Sequence, residues 1–580
     1  MAAEDRRNRN EQIKEALDPL DLRPRIDHYA REGLASIDPD DLNIRFRWWG
    51  LYTQRPAEDG HFMLRIRIPG GALSSDQLAA IGRLAQVHGR NLADVTDRQN
   101  IQLHWIVIED VPTILDELDR IGLSSLQACG DTVRNVLGCP VAGVDAGEWF
   151  DATPDLLAVE ARMARTKEFS NLPRKYKQSV SGCRHRCAQP EVNDVALVGH
   201  VHPDGREGFD LLVGGGLSSS PRFADRLGVF VPRAEAPEVA AAVAAAYRDH
   251  GNRDKRTRAR IKFLLAAWGP ERFREVVERD YLGRSLEDGP PAPPSPDAHR
   301  DHVGVHRQRD GRNYVGVAPL VGRTDGDTLV AVAELARELG GARVRLTTQQ
   351  KLAVLDVPDE RVDEAVARLD ALGLPAFPSQ FHRGAMACTG LTFCKLALVP
   401  TKEPAVELVR ELEEAFPGFD GKIRLNVNGC PNSCARYQLS DIGLAGGESA
   451  GEGNYQLHLG GDLGEGLAFG HRVRERVPAT DTGAVVRGLV AGYLAERQDG
   501  ESVQSWLRRQ PPETLAALSR PASREPAGPQ ASAPADGEPA GPRADAPVPR
   551  EGSGEPQGGG PVGREAAGAG RGRAGVAGGV

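Results

Sequence analysis

Two stretches of the chain carry the same order of apolar and polar positions. From Phe62, FMLRIRIPGGALSSDQLAAIGRLAQVHGRNLADVTDRQNIQLHW gives a short apolar run, a Gly-containing turn, apolar residues at helical spacing, and a second apolar run. From Tyr314, YVGVAPLVGRTDGDTLVAVAELARELGGARVRLTTQQKLAVLDV repeats that order. Period-two runs predict strands and 3.6-residue spacing predicts an amphipathic helix. Each stretch therefore reads strand, turn, helix, strand, and DVPTILDELDRIGL or DERVDEAVARLDALGL adds a second helix. Alternation of this kind predicts helices packed on sheets, in α/β or α+β layers.

A second repeat is sharper. KYKQSVSGCRHRCAQPEVNDVALVG, from Lys175 to Gly199, aligns without a gap on KIRLNVNGCPNSCARYQLSDIGLAG, from Lys422 to Gly446, with nine identities in 25 positions. Cys183 matches Cys430, Cys187 matches Cys434 and Asp194 matches Asp441. The chain thus reads as a fused, diverged duplicate. LEDGPPAPPSPDAH, from Leu286 to His299, reads as a Pro-rich linker between the halves. From about Pro511 the sequence turns to Pro, Gly and Ala, too poor in large apolar residues to offset its ordering entropy, and is expected to be disordered.

The 580 residues leave room for several domains, and 40% hydrophobic with 26% charged residues is ordinary for a soluble globular protein. A net charge of −9 argues against a nucleic-acid surface while allowing a local basic pocket. The charged start MAAEDRRNRNEQ and the lack of an apolar run of about 20 residues predict a cytoplasmic protein with no membrane span. In that compartment close cysteine pairs read as metal or redox ligands rather than as a disulfide framework.

Two such pairs stand out: Cys388 and Cys394 in ACTGLTFCK, and Cys430 and Cys434 in NGCPNSCAR. Four thiolates brought together can hold an iron–sulfur cluster; structural zinc is the competing reading, although zinc pairs usually have shorter spacings. Placing ACGDTVRN around Cys129 opposite ACTGLTFC around Cys388 puts Asn135 where the second half has Cys394, so one cluster is expected rather than two. Cys183 and Cys187 read as a vestige of duplication, or as redox or auxiliary ligands, and Cys139 as a plain buried thiol. No GxGxxG after a strand and no flavin motif is evident, since the GGG of LLVGGGLSS has the wrong spacing, so electrons must come from a separate protein.

The C-x5-C and N-G-C-P-N-x-C motifs, together with FMLRIRIPGG, TDRQNIQLHW, ACGDTVR and NLPRKYK in that relative order, resemble the sirohaem and [4Fe–4S] sulfite and nitrite reductases over roughly residues 40 to 505. Within that family the chain is most similar to the ferredoxin-dependent assimilatory sulfite reductases of actinobacteria. The resemblance implies an internally duplicated α+β or α/β fold whose pseudo-twofold halves enclose a sirohaem cleft. It implies an N-terminal extension (1–55), a ferredoxin-like half repeat (56–125), a sirohaem and substrate α/β domain (126–283), the linker (284–300), a second half repeat (301–370), a [4Fe–4S] and sirohaem α/β domain (371–510) and the tail (511–580). Cys388, Cys394, Cys430 and Cys434 would hold one [4Fe–4S] cluster, with Cys434 bridging to the sirohaem iron. Thr96, Arg98, Gln102, His104 and Asn432 match positions that hold sirohaem. Arg65, Arg134, Lys175 and Lys177 match the basic residues that bind the anionic substrate. Tyr52 and Cys129 match a pair that is covalently linked in some close relatives.

Elementary chemistry agrees with that assignment. Sirohaem bears eight carboxylates and needs Arg and Lys donors, and a bound anion needs cations to offset its charge and groups to deliver protons as oxygen leaves. The K-x-K of Lys175 and Lys177 resembles sulfite reductases, whereas SGCRHRCAQ resembles versions seen in some nitrite reductases. The expected function is six-electron reduction of sulfite to sulfide by a monomer drawing on reduced ferredoxin. Reduction of nitrite to ammonia is the alternative, and an iron–sulfur electron carrier or a zinc-stabilised binding module are more remote ones.

Overall fold

A computed structural model describes residues 8–520 apart from 298, 452 and 465. The first repeat forms strands Leu51–Thr53, Phe62–Ile66, Ile101–Ile106 and Leu92–Val95, adjacent in that order and antiparallel. Helix Ser75–His88 crosses behind them, opened by a reciprocal Ser74–Gln77 capping box. The second repeat places Gly304–Arg307, Asn313–Val317, Leu352–Val357 and Arg343–Leu346 in the same order, with helix Gly326–Glu338 behind. The predicted second helices are Val111–Arg120 and Val362–Ala371.

Each of these sheets takes its fifth strand from the other repeat. Arg323–Asp325 pairs with Leu92–Val95, and Ala72–Ser74 pairs with Arg343–Leu346. The two long helices meet where a Cβ on Gly82 would stand 2.7 Å from the Gly326 carbonyl oxygen, so glycine is what lets them close. One continuous apolar core joins both repeats, from Leu64, Ile81 and Leu103 to Val315, Leu335 and Val354.

The repeated cysteine segments lie in two further sheets. One runs Val133–Leu137, Tyr176–Ser181, Val195–Val201, Glu207–Val213, Asp225–Pro232, Glu287–Asp288; the other Ala385–Ala387, Leu425–Asn428, Ile442–Gly446, Asn454–Leu459, His471–Pro478. Their first three strands are parallel. Gln178 faces Val195 as Leu425 faces Ile442, in the register of the gapless alignment.

The strand register corrects one part of that alignment. Val136 pairs with Gln178, and Ala385 pairs with Leu425, so Ala385 takes the place of Val136. Cys388 then corresponds to Cys139, not Cys129, and Cys394 to Asp145, not Asn135. Two isolated bridges between the halves agree: Gln54 of the first faces Cys394 of the second, and Gln308 of the second faces Asp145 of the first. The earlier placement rested on a shared Ala–Cys dipeptide, which hydrogen-bonded register overrides.

The Pro-rich connection is laced onto the first half rather than free. Glu287–Asp288 extends the six-stranded sheet, the Ala292 amide donates to Asp210 at 3.0 Å, and Arg186 donates to the carbonyls of Ala292 and Pro293. The expected tail also starts later than position 511. Residues Pro512–Leu518 form a helix whose Leu515 enters the core near Trp506 and Val485; positions 521–580 lie outside the described residues. Among the described residues no helix is long and apolar enough to cross a membrane.

Candidate active site

Four cysteines from the second half and a cluster of cations mostly from the first line one cavity of about 400 Å³. Cys388 follows strand Ala385–Ala387, its amide bonded to the Val427 carbonyl at 3.1 Å. The turn to Cys394 is closed by Cys394 N to Gly390 O at 2.9 Å and tied to the first half by Arg55 N to Phe393 O at 3.0 Å. Cys430 and Cys434 follow strand Leu425–Asn428 in a loop held by Asn428, which accepts the Ala435 amide at 2.7 Å. Cys388 Sγ accepts the Gly429 amide at 3.2 Å. Burial, with the other thiols adding to it, pushes the Cys388 thiol up to about 12 and Cys430 up to about 11; burial also raises Cys394. Without a metal these groups stay protonated, so a metal or cluster must supply the energy that makes them thiolates.

Among the described lining residues basic side chains outnumber acidic ones, ten to three. Lys175 and Lys177 flank Tyr176 at the start of strand Tyr176–Ser181 and point to the same wall. Burial and then Lys177 push the Lys175 ammonium well down; burial and then Arg98 push Lys177 down to about 7. Arg65 lies beside Gln102, whose Oε1 accepts from its Nη2 at 3.0 Å, and donates to Cys129 Sγ at 2.8 Å. Its guanidinium is also 6.0 Å from the Tyr52 ring centroid; Tyr52 and Arg65 are in the wall, and Cys129 is buried behind it. Gln102 reaches across to Thr389 Oγ1 at 3.2 Å. Thr96 accepts the Arg98 and Asn100 amides through Oγ1, fixing the turn that presents Arg98. Arg98 donates to Asn193 and to the Asn135 carbonyl, but its buried Nε has no partner.

Two expected site residues sit differently. Arg134 lines the cavity, but its guanidinium donates to the carbonyls of Gly130 and Ala128, so it also braces the loop around Cys129. His104 lies outside the cavity, its Nε2 2.9 Å from Asp94 and its ring stacked on Phe393 at 4.1 Å. It positions Asp94 and Phe393, which are in the wall. Asn432 is in the wall as expected.

Sequence reasoning missed Arg47, Arg174, Arg256, Lys395 and Lys402, all in the lining. Arg174 adjoins Lys175 inside NLPRKYK and Lys395 closes ACTGLTFCK, so the motifs themselves offered a signal for both, as RFRWWG before Tyr52 did for Arg47; Arg256 and Lys402 lie outside every motif. Asp131 organises two of them, accepting from Arg174 at 2.9 Å and Arg256 at 2.6 Å, with Lys14 3.7 Å away. Gly130, at φ +91°, brings this loop against the Trp48 ring, where a Cβ would stand 2.6 Å from a ring carbon.

The arrangement suits a large polyanionic cofactor beside a cysteine-held cluster. The unpartnered Arg98 Nε, the Arg47 side chain and the two lysines offer donors to carboxylates. These features agree with comparisons to known proteins. The family described as "Nitrite and sulphite reductase 4Fe-4S domain" matches residues 129–286 and 379–514, and the "Nitrite/Sulfite reductase ferredoxin-like half domain" matches 55–121 and 306–372. "Sulfite reductase [ferredoxin] 2" of Mycolicibacterium paratuberculosis is 45% identical over 529 residues, covering 87% of this chain and 95% of the relative. "Assimilatory ferredoxin-dependent nitrite reductase" of Haloferax mediterranei is 35% identical over 548 residues, covering 89% and 94%. The solved structure of the Mycobacterium tuberculosis NirA protein superposes with a TM-score of 0.83 at 44% identity, covering 88% of this chain and 97% of that one.

Proposed function

The chain belongs to the nitrite and sulphite reductase family, and from that premise we propose that it reduces sulfite to sulfide with six electrons from reduced ferredoxin. The observation that carries this reading is the meeting, in one cavity, of four cysteines from one half with the paired lysines of the other. Cys388, Cys394, Cys430 and Cys434 would hold the [4Fe–4S] cluster; Arg98, with Arg47, Gln102 and Asn432, would hold sirohaem. When bound, these groups supply a coordination site for the anion and pass electrons to it one at a time. Relatives named as sulfite reductases are 44–45% identical to the chain and those named as nitrite reductases 34–35%, which supports sulfite.

Reduction of sulfite to hydrogen sulfide consumes six electrons and eight protons and releases three waters. The chain's own residues would bind the anion and feed those protons. Lys175, Lys177, Arg65 and Arg134 offset its charge, and a Lys177 ammonium lowered to about 7 gives up and regains a proton near neutral pH. We also propose a cytoplasmic monomer and the division of the chain given above, with the tail boundary moved past helix Pro512–Leu518. A bond between Tyr52 and Cys129, made at the expense of a two-electron oxidant such as dioxygen, would appear as the loss of two hydrogens in the intact mass.

Steady-state rates with sulfite and with nitrite, both driven by reduced ferredoxin, test the reading. Sulfite is partly dianionic near neutral pH, so a second ammonium should favour it over singly charged nitrite. Lys177→Asn keeps a donor and removes the charge. It is expected to lower sulfite kcat/KM roughly tenfold to a hundredfold, for one charged contact worth about 1.5–3 kcal/mol, with a much smaller change for nitrite. Equal losses would remove Lys177 from substrate choice. A native enzyme far better with nitrite would favour the second reading, for which the Cys183–Cys187 segment argues.

A further inference from the structure

Three buried thiols that the reduction chemistry does not use lie together in the first half. Cys139, Cys183 and Cys187 are at most 4% exposed, and their sulfurs all lie within 4.8 Å of one another. Through the register of the paired sheets they occupy the places of Cys388, Cys430 and Cys434. Their spacing differs from that of the second half, where, among the described residues, no three of the four cysteines gather so closely. Cys183 and Cys187 stand 3.8 Å apart. A tetrahedral ion with metal–sulfur bonds of about 2.3 Å sets two thiolates about 3.8 Å apart. A four-iron cluster needs a wider set and a fourth thiolate, and here the fourth place is Asp145, whose carboxylate is taken by Arg300 and the Gly147 amide.

A different fourth donor faces the group. His302 is 2% exposed, with Nε2 3.2 Å from Cys187 Sγ and Nδ1 3.2 Å from the Tyr314 hydroxyl. Its backbone stands at φ +67°, a conformation costly for a bulky side chain and kept where the surroundings enforce it. With the proton on Nδ1 and donated to the Tyr314 oxygen, the Nε2 lone pair is left for a metal. The surroundings, Val141, Val144, Ala353 and Leu355, keep water out.

We propose that Cys139, Cys183, Cys187 and His302 hold one zinc ion, separate from the iron–sulfur cluster. Three thiols release three protons as the zinc–sulfur bonds form, with no change of oxidation state. The three thiolates and Zn²⁺ leave one net negative charge, and Arg300, bonded to Tyr314 at 3.1 Å, is the cation beside it. His302 follows the Pro-rich connection and the cysteines precede it, so the ion clamps the two halves together. It also stiffens the loop whose Gln189 accepts from Arg436 of the Cys430–Cys434 loop.

The test is elemental analysis and zinc-edge X-ray absorption on the full chain with its cofactors, purified without oxygen from zinc-containing medium. About one zinc per chain is expected, with sulfur neighbours at about 2.3 Å and one nitrogen at about 2.0–2.1 Å. Cys139→Ser with Cys183→Ser should reduce zinc to below about a tenth per chain while iron stays unchanged, and His302→Ala should weaken zinc retention against a chelator. The wild-type spectrum stands whether or not the variants fold. Zinc-free native protein, an oxygen-rich zinc shell, a Cys183–Cys187 disulfide in the intact mass, or a doubled iron content would each overturn the proposal.

Discussion

Cys434→Ser is expected to reduce sulfite turnover to background, with loss of cluster iron and of the visible sirohaem bands. Cys434 is the one cysteine of the four that is exposed, and the surface it faces is the cavity that also holds Lys175, Lys177 and Arg65. The other three thiols are pushed up by burial, so the site depends on metal to hold it in the thiolate state. A serine hydroxyl is far harder to deprotonate and a poorer ligand for iron. Iron content, absorption spectrum and turnover should be measured on one preparation. Full turnover in this variant would remove the four-cysteine cluster from the reaction.

Asp131→Asn is expected to destabilise the folded chain by about 3–5 kcal/mol, because it leaves buried cations without their counter-charge. Burial alone would raise this carboxyl, but Arg174, Arg256 and Lys14 hold it well below the usual carboxylate range. Lys14 is itself fully covered, bonded to the Leu172 carbonyl at 2.9 Å and to Glu11 at 2.6 Å. A depressed folded-state value means that the contribution is complete above the unfolded value of about 3.9 and fades as pH falls through the folded one. Denaturant unfolding at pH 7 and at pH 3 checks both parts: the wild-type advantage over the variant should be large at the first and smaller at the second. Equal stability at pH 7 would mean that the arginines find other acceptors.

The same network marks where sequence reading reached its limit. The duplicated strands and helices were legible because each half repeats the other's period, and the four cluster cysteines because their spacing is dense. Lys175, Lys177, Arg65 and Arg98 were legible through motifs and proved to share one cavity. Arg256 and Lys14 were not, since each is an ordinary charge until tertiary packing brings it to Asp131, and Arg174 was passed over although it stands beside Lys175 in NLPRKYK. His104 was assigned to the cofactor because it lies in TDRQNIQLHW, but although alternation puts it on the same face as Gln102, Asp94 and the Phe393 ring cover it. The match of Cys388 to Cys139 needed hydrogen-bonded register, for the two segments share too few residues to align.

The reciprocal trade of edge strands has a genealogical consequence. A polypeptide of half this length would have carried strand Ala72–Ser74, or its counterpart Arg323–Asp325, with no sheet of its own to join. Two such polypeptides would have completed each other, so the gene fusion joined partners that already depended on one another. That dependence should persist. Fragments divided at residue 298 are expected to aggregate when expressed singly and to assemble as a one-to-one complex when expressed together, and a stable, monomeric first fragment would count against this origin.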